Sequence, residues 1–220
     1  MHATAHPDES LSWLVSIAVK KAPNEDEAYY FKFTLISIAY FCAMHLIIHL
    51  VCLRYNPRYQ REEPRQKALY RSYVVSPIHA FTAVILATIG MFFVCGDDKN
   101  VFNDDVCLNT PRYIHIWALL HTTGYFIHDF YIQYFVVGGT SALDYQTYAH
   151  HIIGAVTFYQ TLYFMDFMVV FGVMLLFTEI STTYVSMRWL MYKHEMTNSA
   201  LYVLNCVLLF AFFLFGRLIY

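Results

Sequence analysis

Charged side chains are scarce in this 220-residue chain. Asp, Glu, Lys and Arg together make up 14% of it, and the formal net charge is −2. A protein that binds nucleic acid carries a basic excess collected on one face. The composition therefore argues against a nucleic-acid partner.

Motifs of several common enzyme classes are also absent from the sequence. It contains no Gly-rich phosphate loop, no Ser nucleophile elbow and no Cys-x-x-Cys pair, so nucleotide hydrolysis and serine-hydrolase chemistry have no support. We predict no bound cofactor. The apolar stretch Leu11–Val19 follows Asp8 and Glu9 rather than basic residues, so we do not expect it to be a targeting peptide.

Apolar residues dominate what is present. They make up 58% of the chain, and the mean hydropathy is +0.42. A helix that crosses a bilayer needs about 20 such residues, and the runs here lack the period-2 alternation of barrel strands. The sequence predicts an all-α fold, a polytopic membrane helical bundle of about six transmembrane helices. The six runs are Tyr29–Leu53, Pro77–Cys95, Ile114–Val137, Tyr145–Phe164, Phe167–Leu190 and Ala200–Tyr220.

Local signals divide the chain and place some helix ends. We predict an N-terminal arm over residues 1–28 and a membrane domain over 29–220. Within the arm, Ser10–Lys21 has an apolar face, which predicts either a short interfacial helix or a packed terminal segment. Ser76 and Pro77 predict the start of the second spanning helix, and Gly138 with Gly139 predicts the end of the third.

The loops differ in charge. The loop between the first two runs is rich in arginine, whereas the next loop is acidic, and the N-terminal segment and the fifth loop fit the same division in a six-span topology. The positive-inside rule places the arginine-rich face toward the cytosol or the mitochondrial matrix. We predict a multi-pass protein of the endoplasmic reticulum or the mitochondrial inner membrane.

Two of the five cysteines, Cys95 and Cys107, flank the acidic loop. On a lumenal or intermembrane face a disulfide can persist. We therefore consider Cys95 and Cys107 a disulfide candidate, with two free thiols as the alternative.

Titratable side chains occur inside several of the predicted spans. Each costs on the order of 3 kcal/mol to insert, so they are the first place to look for chemistry. Helix rise puts Asp129, His150, Glu179 and His45 at a similar depth, roughly 9–14 Å from the arginine-rich face. This pattern indicates one polar cavity, in which a carboxylate orients an imidazole as a general base. The alternative is that each group is only a polar contact between helices.

A metal site is the weaker alternative. His45 and His49 lie four residues apart, on one helical face. However, the clustered His-x-x-His-His boxes of di-iron lipid enzymes do not occur. We therefore predict no metal, with His45 and His49 as the alternative ligands.

Several segments together resemble the TLC domain, which ceramide synthases, translocating-chain-associating membrane proteins and smaller TLC-domain-containing proteins share. The resemblance runs from about Arg71 to the C-terminus and is closest to the smaller proteins, which are linked to membrane phospholipid composition. The His-Asp-x-x-Asp element that follows the His pair in ceramide synthases is missing. The segments that carry the resemblance are Arg71–Ala80, Gly124–Asp129, His150-His151, Glu179–Thr182 and Arg188-Trp189.

The resemblance implies a lipid-handling protein, with membrane lipids as partners and acyl-CoA as a candidate co-substrate for acyl transfer. It implies catalytic roles for His150, His151 and Asp129. Five further residues would bind lipid or substrate. The alternative function is a non-catalytic accessory subunit of a larger membrane complex that binds lipid and contacts other membrane subunits. The lipid-binding or substrate-binding candidates are Ser76, His79, Tyr125, Glu179 and Arg188.

Overall fold

The computed structural model describes residues 27–96, 99–163 and 166–219. Nearly all of the predicted N-terminal arm, including its interfacial helix, lies outside these residues. The described part of the chain is mostly helical and contains no strand. The predicted all-α fold is confirmed.

Within the described residues, each of the six predicted apolar runs lies mostly in a helix. Three helical stretches are long and apolar enough to cross a membrane: Glu27–Tyr55, Pro64–Phe92 and Phe167–Lys193. The other three runs form helices that are shorter or more polar. Two π-helical segments, Ile132–Val137 and Leu214–Ile219, each extend the α-helix that precedes them. A 3₁₀ turn, Leu176–Glu179, joins two further α-helices. The α-helices are α1 Glu27–Tyr55, α2 Pro57–Arg61, α3 Pro64–Phe92, α4 Asp105–Leu108, α5 Tyr113–Tyr131, α6 Ala142–Thr161, α7 Asp166–Leu175, α8 Ile180–Lys193 and α9 Ala200–Phe213.

The predicted start of the second spanning helix at Ser76-Pro77 is wrong. Helix α3 begins at Pro64, and Pro77 lies inside it. A proline in the first turn loses no hydrogen bond, which suits Pro64. Pro77 has no N–H to donate to the Tyr73 carbonyl, and interior prolines of this kind are tolerated in membrane helices. Ser76 is therefore a side chain of the helix interior and not an N-cap.

The end of the third spanning helix is predicted correctly. The backbone of Gly138 is left-handed, with φ 63°, and it follows the π-helical segment directly. This conformation costs glycine nothing and ends helices commonly. Ser141 and Asp144 then form a capping box that starts α6.

Helix α5 is the centre of the bundle. It packs against α1, α3 and α6, while α3 also packs against α8 and α8 against α9. The Ser37 hydroxyl donates to the His121 carbonyl at 2.9 Å, which joins α1 to α5. Side chains on three faces of α5 are buried, so it can present residues to several neighbours at once.

The first, third and fifth loops meet at one end of the bundle, which we call the arginine-rich end (residues 54–71 and the loops that contact them). The Arg65 Nε donates to the Val137 carbonyl at 2.8 Å. Arg58 forms an ion pair of 2.9 Å with Glu195. The predicted grouping of loops by charge thus corresponds to contacts between them.

The opposite end holds the loop from Cys95 to Cys107, which we call the disulfide end. Cys95 and Cys107 are joined, with their Cα atoms 5.8 Å apart. Within the loop, Asp104 accepts from the Cys107 N–H at 2.8 Å and pairs with Lys99 at 2.9 Å. The Lys99 ammonium and the Cys107 N–H hold the pKa of the Asp104 carboxyl below its ordinary value. The carboxylate therefore stabilises this loop at neutral pH, and the contribution is lost only as the pH falls through that lowered pKa.

Candidate functional site: a polar cavity inside the helical bundle

A cavity of about 440 Å³ lies among α3, α5, α6 and α8, within the usual size range of ligand sites. It extends to the first turns of α6, near the arginine-rich end, where Leu143 and Gln146 line it. We call it the polar cavity. Its polar lining includes Ser72, Tyr73, Ser76, Tyr125, Asp129, Gln133, His150, His151, Glu179 and Thr182.

Asp129 is the central acceptor of the polar cavity. Helix α5 holds it almost fully buried, and the Ser72 hydroxyl of α3 donates a hydrogen bond to its Oδ1. The Gln133 Nε2 donates to the same Ser72 hydroxyl at 3.0 Å. Two helices and the π-helical segment thus fix the position of this carboxyl group.

His151 lies opposite that carboxyl group. Its Nδ1 is 3.5 Å from the Asp129 Oδ2, which is beyond an ordinary hydrogen bond, and a small approach would make one. Catalytic contacts are often long before substrate binds. The His151 ring stacks on Phe126, with centroids 5.3 Å apart and planes 20° apart. The stacking and the carboxyl group together orient the imidazole.

His150 and Glu179 complete the titratable groups of the cavity. His150 is exposed, and its ring meets Phe126 edge-on at 5.3 Å. Glu179 is buried and accepts from the Thr182 hydroxyl at 2.9 Å. It ends the 3₁₀ turn between α7 and α8, and such mid-helix turns often mark functional positions.

Two of the predicted lipid-binding residues line the cavity wall as a pair. Ser76 and Tyr125 are hydrogen-bonded to each other through their side chains, and both line the cavity. His79 does not line it: it is fully buried and stacks on Tyr125, with centroids 3.9 Å apart. Arg188 also lies outside the lining. A role for His79 or Arg188 in binding stays a prediction.

The metal alternative gains nothing from the structure. The His49 Nδ1 is hydrogen-bonded to the Tyr59 hydroxyl at 2.7 Å and to the Arg71 guanidinium at 2.9 Å, and a cation beside a ligand nitrogen disfavours a metal ion. His45 lies edge-on to the ring of His128 at 5.4 Å. In the part of the chain that the structure describes, no three His, Cys, Asp or Glu side chains form a group that could hold a metal ion.

Ser72 and Gln133 are not among the predicted site residues, although both order Asp129. Their spacing is the available signal. Ser72 lies four residues before Ser76, and Gln133 lies four residues after Asp129, so each shares a helical face with a predicted site residue.

Asp129→Leu is expected to lower the free energy of unfolding by about 1–3 kcal/mol, because the buried donor Ser72 loses its acceptor. Asp129→Asn keeps an acceptor oxygen in the same place and should cost clearly less. Unfolding in mixed detergent, with both variants compared with the wild type, measures the difference. Equal losses for the two variants would show that the hydrogen bond to Ser72 contributes nothing.

The TLC domain family model matches residues 70–220, which include every titratable residue of the polar cavity. No curated protein matches the chain. No solved structure matches it either. Since the family model covers more than half of the chain, this protein belongs to the TLC-domain family and is a lipid-related, multi-pass membrane protein.

Proposed function

We propose that the polar cavity binds the polar part of an acylated lipid and that His151 acts there as a proton acceptor in acyl transfer. One observation carries this proposal. Asp129 of α5, the His pair of α6 and Glu179 lie around one cavity, although titratable groups inside a membrane are costly and seldom gather without a function.

The chemistry follows from the arrangement of the pair. Asp129 faces the Nδ1 of His151, so the Nε2 is the nitrogen that would take the proton of an attacking amine or hydroxyl. The nitrogen of the attacking amine, or the oxygen of the attacking hydroxyl, forms the new bond to the acyl carbon. The carbon–sulfur bond of the acyl thioester breaks, and the proton passes from His151 to the departing thiolate. Asp129 stabilises the imidazolium between these steps.

Acyl-CoA is the candidate donor because it joins an acyl chain to a polyanion. The arginine-rich end supplies positive charge near the mouth of the cavity, where juxtamembrane cations attract phosphate groups. Acyl-CoA as donor is consistent with the predicted orientation. The arginine-rich end would face the cytosol in the endoplasmic reticulum, or the matrix in the mitochondrial inner membrane.

The test compares His151→Ala with the wild type in cells and as purified protein. We expect acyl transfer to fall by about 100-fold or more, together with a change in cellular lipid profile and in lipids that co-purify. His194→Ala is the matched control, because His194 is exposed and hydrogen-bonds to Tyr70 at the arginine-rich end, away from the cavity. If His151→Ala leaves the lipid profile and the co-purified lipids unchanged, the proposal is wrong.

The accessory-subunit alternative predicts a different result from the same preparation. A subunit would co-migrate with a large assembly after mild detergent extraction, whereas a free enzyme would elute as a monomer or dimer. This alternative would be favoured if the wild-type protein binds lipid within such an assembly and catalyses no acyl transfer.

A further inference from the structure

Attack on an acyl thioester places negative charge on the carbonyl oxygen. An electron pair of the carbonyl double bond moves onto that oxygen when the amine or hydroxyl attacks, and it returns when the carbon–sulfur bond breaks. A hydrogen-bond donor held in place for this oxygen is usually the largest single contribution to such catalysis. Asp129 is an acceptor, and His151 takes the proton of the attacking group. The polar cavity must therefore supply a separate donor.

Four of the hydroxyl groups that line the polar cavity already donate hydrogen bonds. Ser72 and Thr182 donate to carboxyl groups. Thr147 and Ser181 donate to backbone carbonyls, at 3.0 and 2.8 Å. Each hydroxyl has one proton to donate, so these four groups have none left for a substrate.

Ser76 and Tyr125 differ from these four, because their hydroxyl groups are paired with each other on the cavity wall. Two hydroxyls carry two protons, and the bond between them uses one. A phenol is a stronger donor than an alcohol. When Ser76 donates to the Tyr125 oxygen, the phenol proton is left for an acceptor in the cavity, and the first bond strengthens the second.

The position of Tyr125 places its phenol beside the reacting groups. Tyr125 precedes Asp129 by four residues, so both project from one face of α5, about 6 Å apart along the helix. His151 of α6 faces both residues. Its Nδ1 is 3.5 Å from the Asp129 Oδ2, and its ring lies edge-on to the Tyr125 ring, with centroids 6.1 Å apart. A carbonyl group attacked next to His151 therefore has the phenol beside it.

The Tyr125 ring is held from two other helices. His79 of α3 stacks on it, with centroids 3.9 Å apart and planes 11° apart, and Phe41 of α1 meets it edge-on at 5.2 Å. Tyr125 is 2% exposed, so the ring has little room to turn. A donor to a developing oxyanion is effective when its position is fixed before the reaction. The packing around Tyr125 meets this requirement.

We infer that Tyr125 is a catalytic residue whose phenol hydroxyl, positioned by Ser76 and His79, donates a hydrogen bond to the carbonyl oxygen of the acyl thioester. This inference rests on the proposed function. The phenol keeps its proton throughout. Its hydrogen bond strengthens as charge develops on the oxygen and weakens when the carbon–sulfur bond breaks. Tyr125 thus activates the acyl donor, whereas His151 accepts the proton of the attacking group.

Infrared spectroscopy of bound palmitoyl-CoA tests the hydrogen bond itself. The probe carries an isotope label at its thioester carbonyl, and the protein is the full-length chain in detergent. We expect the carbonyl band of the bound thioester at a lower wavenumber than that of the free thioester. Tyr125→Phe should return the band to the free position, while Ser76→Ala should leave part of the shift. Tyr131→Phe is the matched control, since it removes a phenol hydroxyl from an exposed residue of α5 outside the cavity lining, and it should leave the band unchanged.

The rate of acyl transfer from palmitoyl-CoA gives the second measurement. Tyr125→Phe should lower kcat by about 100-fold or more, with the KM for palmitoyl-CoA little changed, because the bond is strongest in the transition state. The melting temperature should stay close to that of the wild type, since the ring and its stacking on His79 are kept. A purely structural role would instead lower the melting temperature and leave the carbonyl band shifted.

The outcomes separate this inference from the proposed function. A wild-type carbonyl band at the free position, or a shifted band that Tyr125→Phe retains, overturns the inference. Loss of acyl transfer in His151→Ala would in that case still support the proposed function. If the wild type does not bind palmitoyl-CoA, the assignment of acyl-CoA as donor is wrong and this inference fails with it.

Discussion

Phe126→Ala is expected to lower the free energy of unfolding by about 3–5 kcal/mol, the usual cost of removing a buried aromatic ring. Phe126 is 1% exposed, and its ring stacks on His151 on one side and on Phe158 on the other, 6.0 Å between centroids. Its removal would enlarge the polar cavity, which it lines. Unfolding in a titration of denaturing detergent measures the loss.

Gly154→Ala tests the packing of the Phe126 ring from the other helix, because a Cβ at position 154 would lie 2.5 Å from the Phe126 Cε2. Overpacking costs about 1–3 kcal/mol, while the gain in helix propensity returns up to about 1 kcal/mol, so we expect a net loss. In the double variant with Phe126→Ala the added methyl group has room. The double variant should therefore lose less free energy of unfolding than the two single variants lose in sum, by about 1–2 kcal/mol.

Gly172→Ala is the control for this cycle. A Cβ at Gly172 would meet only the ends of the Thr161 and Leu119 side chains, at 3.2 and 3.3 Å. Gly172→Ala should therefore change the free energy of unfolding little, and its change should add to that of Phe126→Ala. If Gly154→Ala is also additive with Phe126→Ala, then the ring does not occupy the space beside Gly154.

Loss of the disulfide is expected to have the second largest effect. The Cys95–Cys107 bond closes a short loop, with a sequence separation of 12, and closing a loop of about this length stabilises the folded state by about 3 kcal/mol. Cys95→Ser and Cys107→Ser should each cause this loss, and the double variant should lose no more than either one. Cys42→Ser is the matched control, since Cys42 is an exposed free thiol.

A peptide mass map without reductant checks the bond directly. The expected result is a linked pair of peptides that contain Cys95 and Cys107, which separates on reduction. Alkylation of both thiols in the untreated protein would contradict the bond and would also weaken the assignment of this end to an oxidising compartment.

Hydropathy was sufficient to predict the helices because bilayer spans need long apolar runs, and the described part of each of the six runs lies mostly in a helix. It misplaced the start of α3 because Lys67 and Arg71, in the early turns, lower the local hydropathy. Those turns contact the loops of the arginine-rich end: the Arg71 guanidinium donates a hydrogen bond to the Tyr59 hydroxyl. Polar residues continue a helix as readily as apolar ones, so composition marks the bilayer boundary and not the helix end.

The site was predictable where the cost of burial is large. Asp129, the His pair and Glu179 are conspicuous in apolar runs, and they surround one cavity. Ser72 and Gln133 are neutral and common in helices, so only their neighbours in space reveal their role. The position of His79 depends on stacking with Tyr125 from another helix, a tertiary contact that no spacing along α3 encodes.

Pro77 adds a feature that side-chain substitutions leave intact. Because its ring nitrogen donates no hydrogen bond, the peptide oxygen of Tyr73 lacks the partner that the helix would ordinarily give it. An alanine scan of the lining would alter every neighbouring hydroxyl, amide and carboxyl group and still leave this oxygen in place. Pro77→Ala would instead supply the missing N–H within α3 without altering any side chain that lines the cavity.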